Sequence, residues 1–275
     1  RLEDMTPCIA CLQGCVANMY AGNPICCLTN PFLGHEAEPI AKTENPKKVM
    51  VIGGGVAGLC AAFIAKEKGH EVTLYEAGDV LGGNMRLAAY PPGKGDITNM
   101  IRSYIHRCQK DGVKIVMNCE VTPELIKEEK PDSVIIATGS KTLILPIEGI
   151  DNPAIIHGSD LLDGKRPAGK KVLVVGGGMV GCETAAFLGE QEHDVTVIEF
   201  RDTVGADVIH EHRVYLMKDF EDYGIKEITG AKVCKFYEDG VEYETADGVR
   251  HETRGYDSVI LSMGFRNYNP LEEKI

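Results

Sequence analysis

The 275-residue sequence contains no tryptophan, only 6% aromatic residues, and no apolar stretch approaching the roughly 20 residues that cross a bilayer. A membrane-spanning helix is therefore not expected, and no charged-then-apolar leader opens the chain. Positive charge is scarce as well. Against 41 Asp and Glu stand 29 Lys and Arg, a net charge of −12, and no basic run exceeds a pair or triplet. Phosphate neutralisation needs clustered cations, so nucleic acid is excluded as a partner. The chain reads as cytoplasmic. Disorder is excluded from the other side, because 44% hydrophobic and 25% charged residues over this length suffice for two packed cores. The first residue is Arg1, and Leu271–Ile275 brings no recognisable stop, so the chain reads as a fragment of something longer.

A disulfide framework is also missing. Of ten cysteines, Cys8, Cys11, Cys15, Cys26 and Cys27 fall in the first 27 residues, whereas Cys60, Cys108, Cys119, Cys182 and Cys234 are scattered singly. The scattered ones are expected to be small buried hydrophobes. The cluster sits in a Cys-, Pro-, Gly- and Asn-rich arm, residues 1–45, with little apolar periodicity and nothing evident to hold it.

From Lys47 on, short β-branched runs alternate with longer helical patterns, the texture of βαβ units. The α/β stretch contains an internal repeat: residues 49–76 align without gaps on 172–199, 172 − 49 = 123 residues apart, with about a dozen identities. In the first copy Val49–Ile52 is expected as a buried strand, Gly53-Gly54-Gly55-Val56-Ala57-Gly58 as a turn, Leu59–Lys68 as a helix and Glu71–Tyr75 as the next strand. Gly53 permits the turn, Gly55 lets a pyrophosphate approach the backbone, and Gly58 lets the helix pack on the strand. The helix N-terminus then faces a diphosphate, and Glu76 can accept ribose hydroxyls. Gly176, Gly178, Gly181 and Glu199 take these roles in the second copy. Two Rossmann-like dinucleotide-binding domains are expected, 46–150 with a return segment 267–275, and 151–266 between them.

With Glu76-Ala77 followed by Gly82-Gly83, and Ala137-Thr138-Gly139 further on, the sequence resembles the two-dinucleotide-binding-domain flavoproteins, the glutathione-reductase-like group. The resemblance implies FAD in the first domain and NAD(P)H in the second. In the second copy Glu183 stands where that group carries its nicotinamide-side acid, and Met179 where it lines the nicotinamide pocket. Glu199 favours NADH, since a carboxylate repels a 2′-phosphate, while nearby Arg201 leaves NADPH open. The second copy lacks the double glycine, and Tyr256–Gly264 resembles the strand returning to the FAD domain. The flavin-contacting Gly-Asp motif expected after it does not occur, and no C-x(4)-C redox pair follows the first helix.

The arm reads Cys8-x(2)-Cys11-x(3)-Cys15-x(11)-Cys27. Four thiolates, three on a tight loop and one returning, suit a [4Fe-4S] cube; zinc is the rival, and Cys26 is an alternative fourth ligand. Followed by Leu28-Thr29-Asn30-Pro31 and the first glycine run, this motif resembles the cluster-bearing NADH:flavin oxidoreductases, the family of 2,4-dienoyl-CoA reductase, 2-enoate reductase and trimethylamine dehydrogenase, over essentially the whole chain. The resemblance implies an N-terminal FMN barrel as the partner of this segment in the parent chain. It further implies a relay from NADH through FAD and the cluster to FMN, which reduces the activated C=C bond of a small-molecule enoate or enoyl thioester. Its amine-dehydrogenase members imply an alternative, with a structural nucleotide in the first domain and an external acceptor. A scaffold without activity of its own is a third reading, and a homo-oligomer is left open. The catalytic residues of the barrel lie outside this sequence. His106, His210 and His212 read as solvated or packing residues, and Pro91–Gly95 as a surface loop.

Overall fold

The computed structural model describes residues 4–272, and the chain forms two compact units. The first takes the chain up to Ala89, Lys94–Ser140 and the segment from Asn267 on; the second takes Tyr90–Gly93 and Lys141–Arg266.

In the first unit the arm carries one short helix, α1 (Val16–Tyr20). Next come β1 (Lys48–Ile52), α2 (Val56–Glu67), β2 (Glu71–Tyr75), a 3-10 turn over Gly83–Ala89, α3 (Ile97–Lys110), β3 (Lys114–Val116), α4 (Pro123–Glu129) and β4 (Ser133–Ile136). The strands form a parallel sheet in the order β3-β2-β1-β4, with Lys48 opposite Glu71 and Ile52 opposite Tyr75. Parallel strands covered on both faces need near-continuous apolar runs, and Val49–Ile52 and, apart from the buried Thr73, Val72–Tyr75 supply them. α2 begins at Val56, three residues before the expected start, because the Leu59 N–H already donates to Gly55 O at 2.9 Å. The second half of the glycine turn is thus the first turn of the helix. Gly69, at φ +94°, stops it, as the sequence suggests.

α3 buries Ile97, Met100, Ile101, Tyr104 and Cys108, a helical stripe. The Tyr104 ring meets Phe63 of α2 edge-on at 5.2 Å. Each fully buried Leu or Phe here contributes about 1.5–3 kcal/mol. The arm, expected to lack a core, uses this one: Ile9 is buried in it, and Cys11 and Phe32 pack against it. Tyr104 Oη donates to Thr29 O at 3.1 Å and Ser103 Oγ to Met5 O at 3.2 Å, while Asp4 accepts from His106 and Lys110. His106, expected to be solvated or packing, is an anchor for the arm while its side chain stays 33% exposed.

The chain leaves the first unit through β5 (Ser140–Thr142) and builds β6 (Ile156–His157), α5 (Gly158–Leu162), β7 (Lys171–Val175), α6 (Met179–Glu190), β8 (Asp194–Ile198), α7 (His210–Asp222) and β9 (Lys226–Ile228). An antiparallel meander of β10 (Lys232–Tyr237), β11 (Gly240–Glu244) and β12 (Arg250–Thr253) follows, then β13 (Ser258–Leu261) and, at the return, β14 (Phe265–Asn267). The main sheet is parallel, in the order β6-β13-β7-β8-β9. β7, α6 and β8 reproduce the bounds of β1, α2 and β2 at the repeat's offset, residue for residue.

Three expectations change here. The boundary expected at 150/151 lies at 140/141, because Ile147 and Ile150 pack in a second-unit core with Phe236 and Leu173, and Gly149 lies so close to Phe236 O that a Cβ would sit 2.3 Å from it. Tyr256–Gly264 is not the returning strand: β13 is buried between β6 and β7, and the first unit resumes only at Asn267. Of the return segment expected over 267–275, the last three residues lie outside the described residues. Of the scattered cysteines only Cys108 and Cys182 are buried; Cys60, Cys119 and Cys234 are partly exposed, and all ten thiols are free. Among the described residues no helix is long and apolar enough to cross a membrane.

Candidate dinucleotide sites and the cysteine arm

In the first unit the glycine turn is shaped by close approach. Gly53 has φ +106°, and a Cβ there would lie 2.3 Å from Ala137 O; a Cβ on Gly58 would lie 1.9 Å from Gly53 O. Only glycine allows the turn to pack under the helix at these positions. Gly55 is different: the nearest atom to its missing Cβ is Gly83 Cα at 4.0 Å, and the open side borders a cavity of about 340 Å³. That cavity is lined by Gly53, Gly55, Glu76, Gly82, Gly83, Ala137, Thr138 and Gly139, which are all the expected first-domain residues except Gly58. Val56 and Ala57, the first residues of α2, also line it, and no side chain caps this helix. Its positive dipole end is therefore directed at the cavity, which suits a diphosphate.

Glu76 is held in place before any ligand arrives. Its Oε2 accepts from Gly54 N–H and its Oε1 from Gly78 N–H, both at 2.7 Å. Each carboxylate oxygen retains acceptor capacity for a ribose hydroxyl. Thr138 Oγ1 donates to Tyr268 O and the Tyr268 N–H donates to Gly139 O, so the Ala-Thr-Gly turn fastens the return segment beside the cavity. The wall formed by Cys119–Val121 and Pro270-Leu271 carries no motif, and sequence reasoning did not find it.

The second unit repeats this geometry. Gly176 has φ +105°, with a Cβ position 2.4 Å from Ser262 O, and the Cβ position of Gly181 is 1.8 Å from Gly176 O. Glu199 accepts from Gly177 N–H at 2.5 Å and from Arg201 N–H at 2.9 Å. Ser262-Met263-Gly264 stands where Ala137-Thr138-Gly139 stands in the first unit, an equivalence hidden by the change of side chains. The double glycine is half kept: the Gly205 N–H donates to Gly177 O at 2.7 Å, as the Gly82 N–H donates to Gly54 O at 2.8 Å. Glu183 is buried on α6, and Met179 packs against the adjoining core. His157 Nδ1 and Ser262 Oγ are buried without a protein partner, a polarity that a bound ligand can satisfy. Burial pushes the Cys182 thiol up to about 12, which leaves it a packing group.

The middle glycines, Gly54 and Gly177, were assigned no role from the sequence. A Cβ on Gly54 would lie 2.9 Å from Glu76 Oε2, and one on Gly177 2.8 Å from Glu199 Cβ. They make room for the carboxylates. The signal was present in the triple-glycine run of both copies.

In the arm, Ala10 and Leu12 flank Cys11 with φ of +52° and +55°, a left-handed conformation that costs roughly 1–2 kcal/mol per non-glycine residue. The Ala10 N–H thereby points at Cys8 Sγ, 3.4 Å away. Gly14 receives the returning strand: Cys26 N–H donates to Gly14 O at 2.9 Å, and a Cβ on Gly14 would meet Cys26 O at 2.6 Å. Partial burial acts to raise the Cys27 thiol, but hydrogen bonds from the Thr29 hydroxyl and from the Thr29 and Asn30 N–H groups outweigh it and lower the pKa. Cys26 is exposed, with the Asn18 amide 3.5 Å from its Sγ. Among the described residues no three His, Cys, Asp or Glu side chains converge closely enough to hold a metal ion.

Comparison with known proteins agrees with this architecture. Residues 47–275 match the family model of the pyridine nucleotide-disulphide oxidoreductases. Bilirubin reductase of Mediterraneibacter gnavus is 35% identical over 94% of this chain and 40% of its own length, and cinnamate reductase of Clostridium sporogenes 32% identical over 100% and 41%. Among solved structures, a 2-naphthoyl-CoA reductase complex superposes with a TM-score of 0.89 at 34% identity, covering 96% of this chain and 40% of that one. The chain thus spans about two fifths of the length of these relatives. With two Rossmann-like units of FAD- and NAD(P)-binding type, the chain belongs to the pyridine nucleotide-disulphide oxidoreductase family, among the reductase domains of enoate-reductase-like proteins.

Proposed function

We propose that this chain is the electron-input part of an NADH-dependent flavin oxidoreductase that reduces an activated C=C bond. FAD would occupy the first unit and NADH the second; Cys8, Cys11, Cys15 and Cys27, which this structure does not bring to a common point, would close on a [4Fe-4S] cluster when it binds, and FMN would sit in an N-terminal barrel of the parent chain. The observation that carries the reading is the doubled fingerprint, two glycine turns each with a carboxylate fixed on its middle glycine. When bound, FAD accepts hydride from a nicotinamide and the cluster passes single electrons onward.

The residues of this chain then bind and orient. α2 directs its N-terminus at one diphosphate, Glu76 and Glu199 take ribose hydroxyls, and Glu183 and Met179 border the nicotinamide. Glu199 disfavours a 2′-phosphate, hence NADH. The N–H and O–H donors at Cys27 suit a thiolate ligand better than the surroundings of Cys26 do, and Gly14 brings that strand to the Cys11–Cys15 loop. An enoate or enoyl thioester is supported by relatives named for cinnamate and 2-naphthoyl-CoA.

The test uses the full-length protein under anaerobic conditions. NADH should bleach the flavin absorbance, the protein should contain about four irons lost in Cys11→Ala, and cinnamate-like substrates should reoxidise it. Stoichiometric zinc without iron would remove the cluster, and flavin untouched by NADH would remove the whole reading.

A further inference from the structure

The two fingerprints differ at a matched position beside the helix N-terminus. In the first unit Asn84 follows Gly82-Gly83, its side-chain amide donates to Ser140 O and Oγ at 3.1 and 3.3 Å, and the mouth of α2 is left to the cavity. At the repeat's offset the second unit has Asp207. Its Oδ1 accepts from the Met179 N–H at 2.9 Å, at the first residue of α6, and its Oδ2 lies 3.2 Å from where a Cβ on Gly178 would be. The carboxylate therefore covers the glycine that a diphosphate must approach and uses an N–H that it would use. The loop is set for this: Gly205 at φ +62° donates to Gly177 O, and Val204 and Val208 are buried on either side of the exposed Asp207.

We propose that Asp207 is an internal competitor for the dinucleotide diphosphate of the second unit, which sets how weakly that unit holds its nucleotide. The inference rests on the reading that this unit binds NADH. An anion on a helix N-terminus is displaced by another anion only at the cost of the first contact, so apparent affinity falls by the fraction of time the carboxylate is seated. A seat occupied nine-tenths of the time weakens binding about tenfold. The first unit, with a neutral Asn84 turned aside, has no such competitor and can retain its dinucleotide as a prosthetic group. The second must exchange its nucleotide in each turnover, and Asp207 supplies the release.

The experiment titrates ADP-ribose and adenosine calorimetrically into the full-length protein and its Asp207→Asn variant. Asp207→Ser is the second variant, because it removes the charge and the reach of the side chain together at an exposed position, so the outcome does not depend on one substitution. Both variants should bind ADP-ribose about tenfold more tightly and adenosine unchanged, since adenosine has no diphosphate. The reciprocal Asn84→Asp should lower FAD retention with ADP-ribose affinity unaltered. If the unmodified protein binds ADP-ribose and neither variant binds it more tightly, Asp207 is an ordinary helix cap and the proposal fails alone. If neither the unmodified protein nor the variants bind ADP-ribose, the NADH reading fails and takes the proposal with it.

Discussion

Glu76 and Glu199 show how a single side chain depends on a glycine that binds nothing. Each carboxylate leans on a backbone N–H of the glycine turn, and the turn can present that N–H only because its middle residue has no Cβ. Gly54→Ala should therefore cost about 1–3 kcal/mol from overpacking, read as a lower Tm and reduced FAD content. Gly78→Ala, whose Cβ would lie 3.3 Å from Glu76 Oε1 and press it by only a few tenths of an ångström, is the milder control. At the second fingerprint Glu199→Gln keeps an acceptor for one N–H but loses the charge. Loss of a charge-assisted hydrogen bond, roughly 1.5–3 kcal/mol, should raise the KM for NADH at least tenfold and that for NADPH less. An unmodified protein that already used NADPH equally well would refute the assigned preference.

At the scale of elements, α3 is the strut on which the cysteine arm rests. Asp4 is held at about 2, mainly by the hydrogen bond from Lys110 and then by that from His106. A carboxyl depressed in the folded state stabilises fully above its unfolded value, near 3.8, and stops doing so as the pH falls through 2. Peptic cleavage of the arm should accordingly accelerate between about pH 4 and 2, and Asp4→Asn should cleave readily without that step. This anchoring was illegible in the sequence, because Met5, Ile9, Thr29 and Phe32 show no periodicity and their partners lie some 70 to 100 residues away on α3. The Rossmann cores were legible for the opposite reason: strand, turn and helix are local, and Val49–Ile52 and Val172–Val175 have no other stable fate than a buried parallel sheet. The chain's route between units was not legible. Leu143 to Ile150 reads equally well as the end of one domain or the start of the next until Phe236 is seen to close over Gly149.

For the whole molecule, the arrangement places the cysteine arm on the same unit as the first fingerprint, since Ile9 and Cys11 share a core with Leu59 and Phe63 of α2. On the proposed function a reduced flavin in that unit hands its electrons to an outlet other than a redox disulfide, since no C-x(4)-C pair follows the first helix and the buried Cys108 thiol, pushed up to about 12 by burial, stays protonated. If the arm is that outlet, a full-length Cys15→Ser variant should keep rapid flavin bleaching by NADH and lose NADH-driven enoate reduction, while a dye that reduces FMN directly restores turnover. Unfolding of the arm is the competing explanation, and α3 makes it separable. An arm still packed by Ile9, Phe32 and the Tyr104–Thr29 hydrogen bond should resist proteolysis without its cluster, with FAD and FMN content unchanged. A cluster-free, fully flavinylated variant that reduced enoate with NADH at the normal rate would make the arm a structural staple and place the electron path elsewhere.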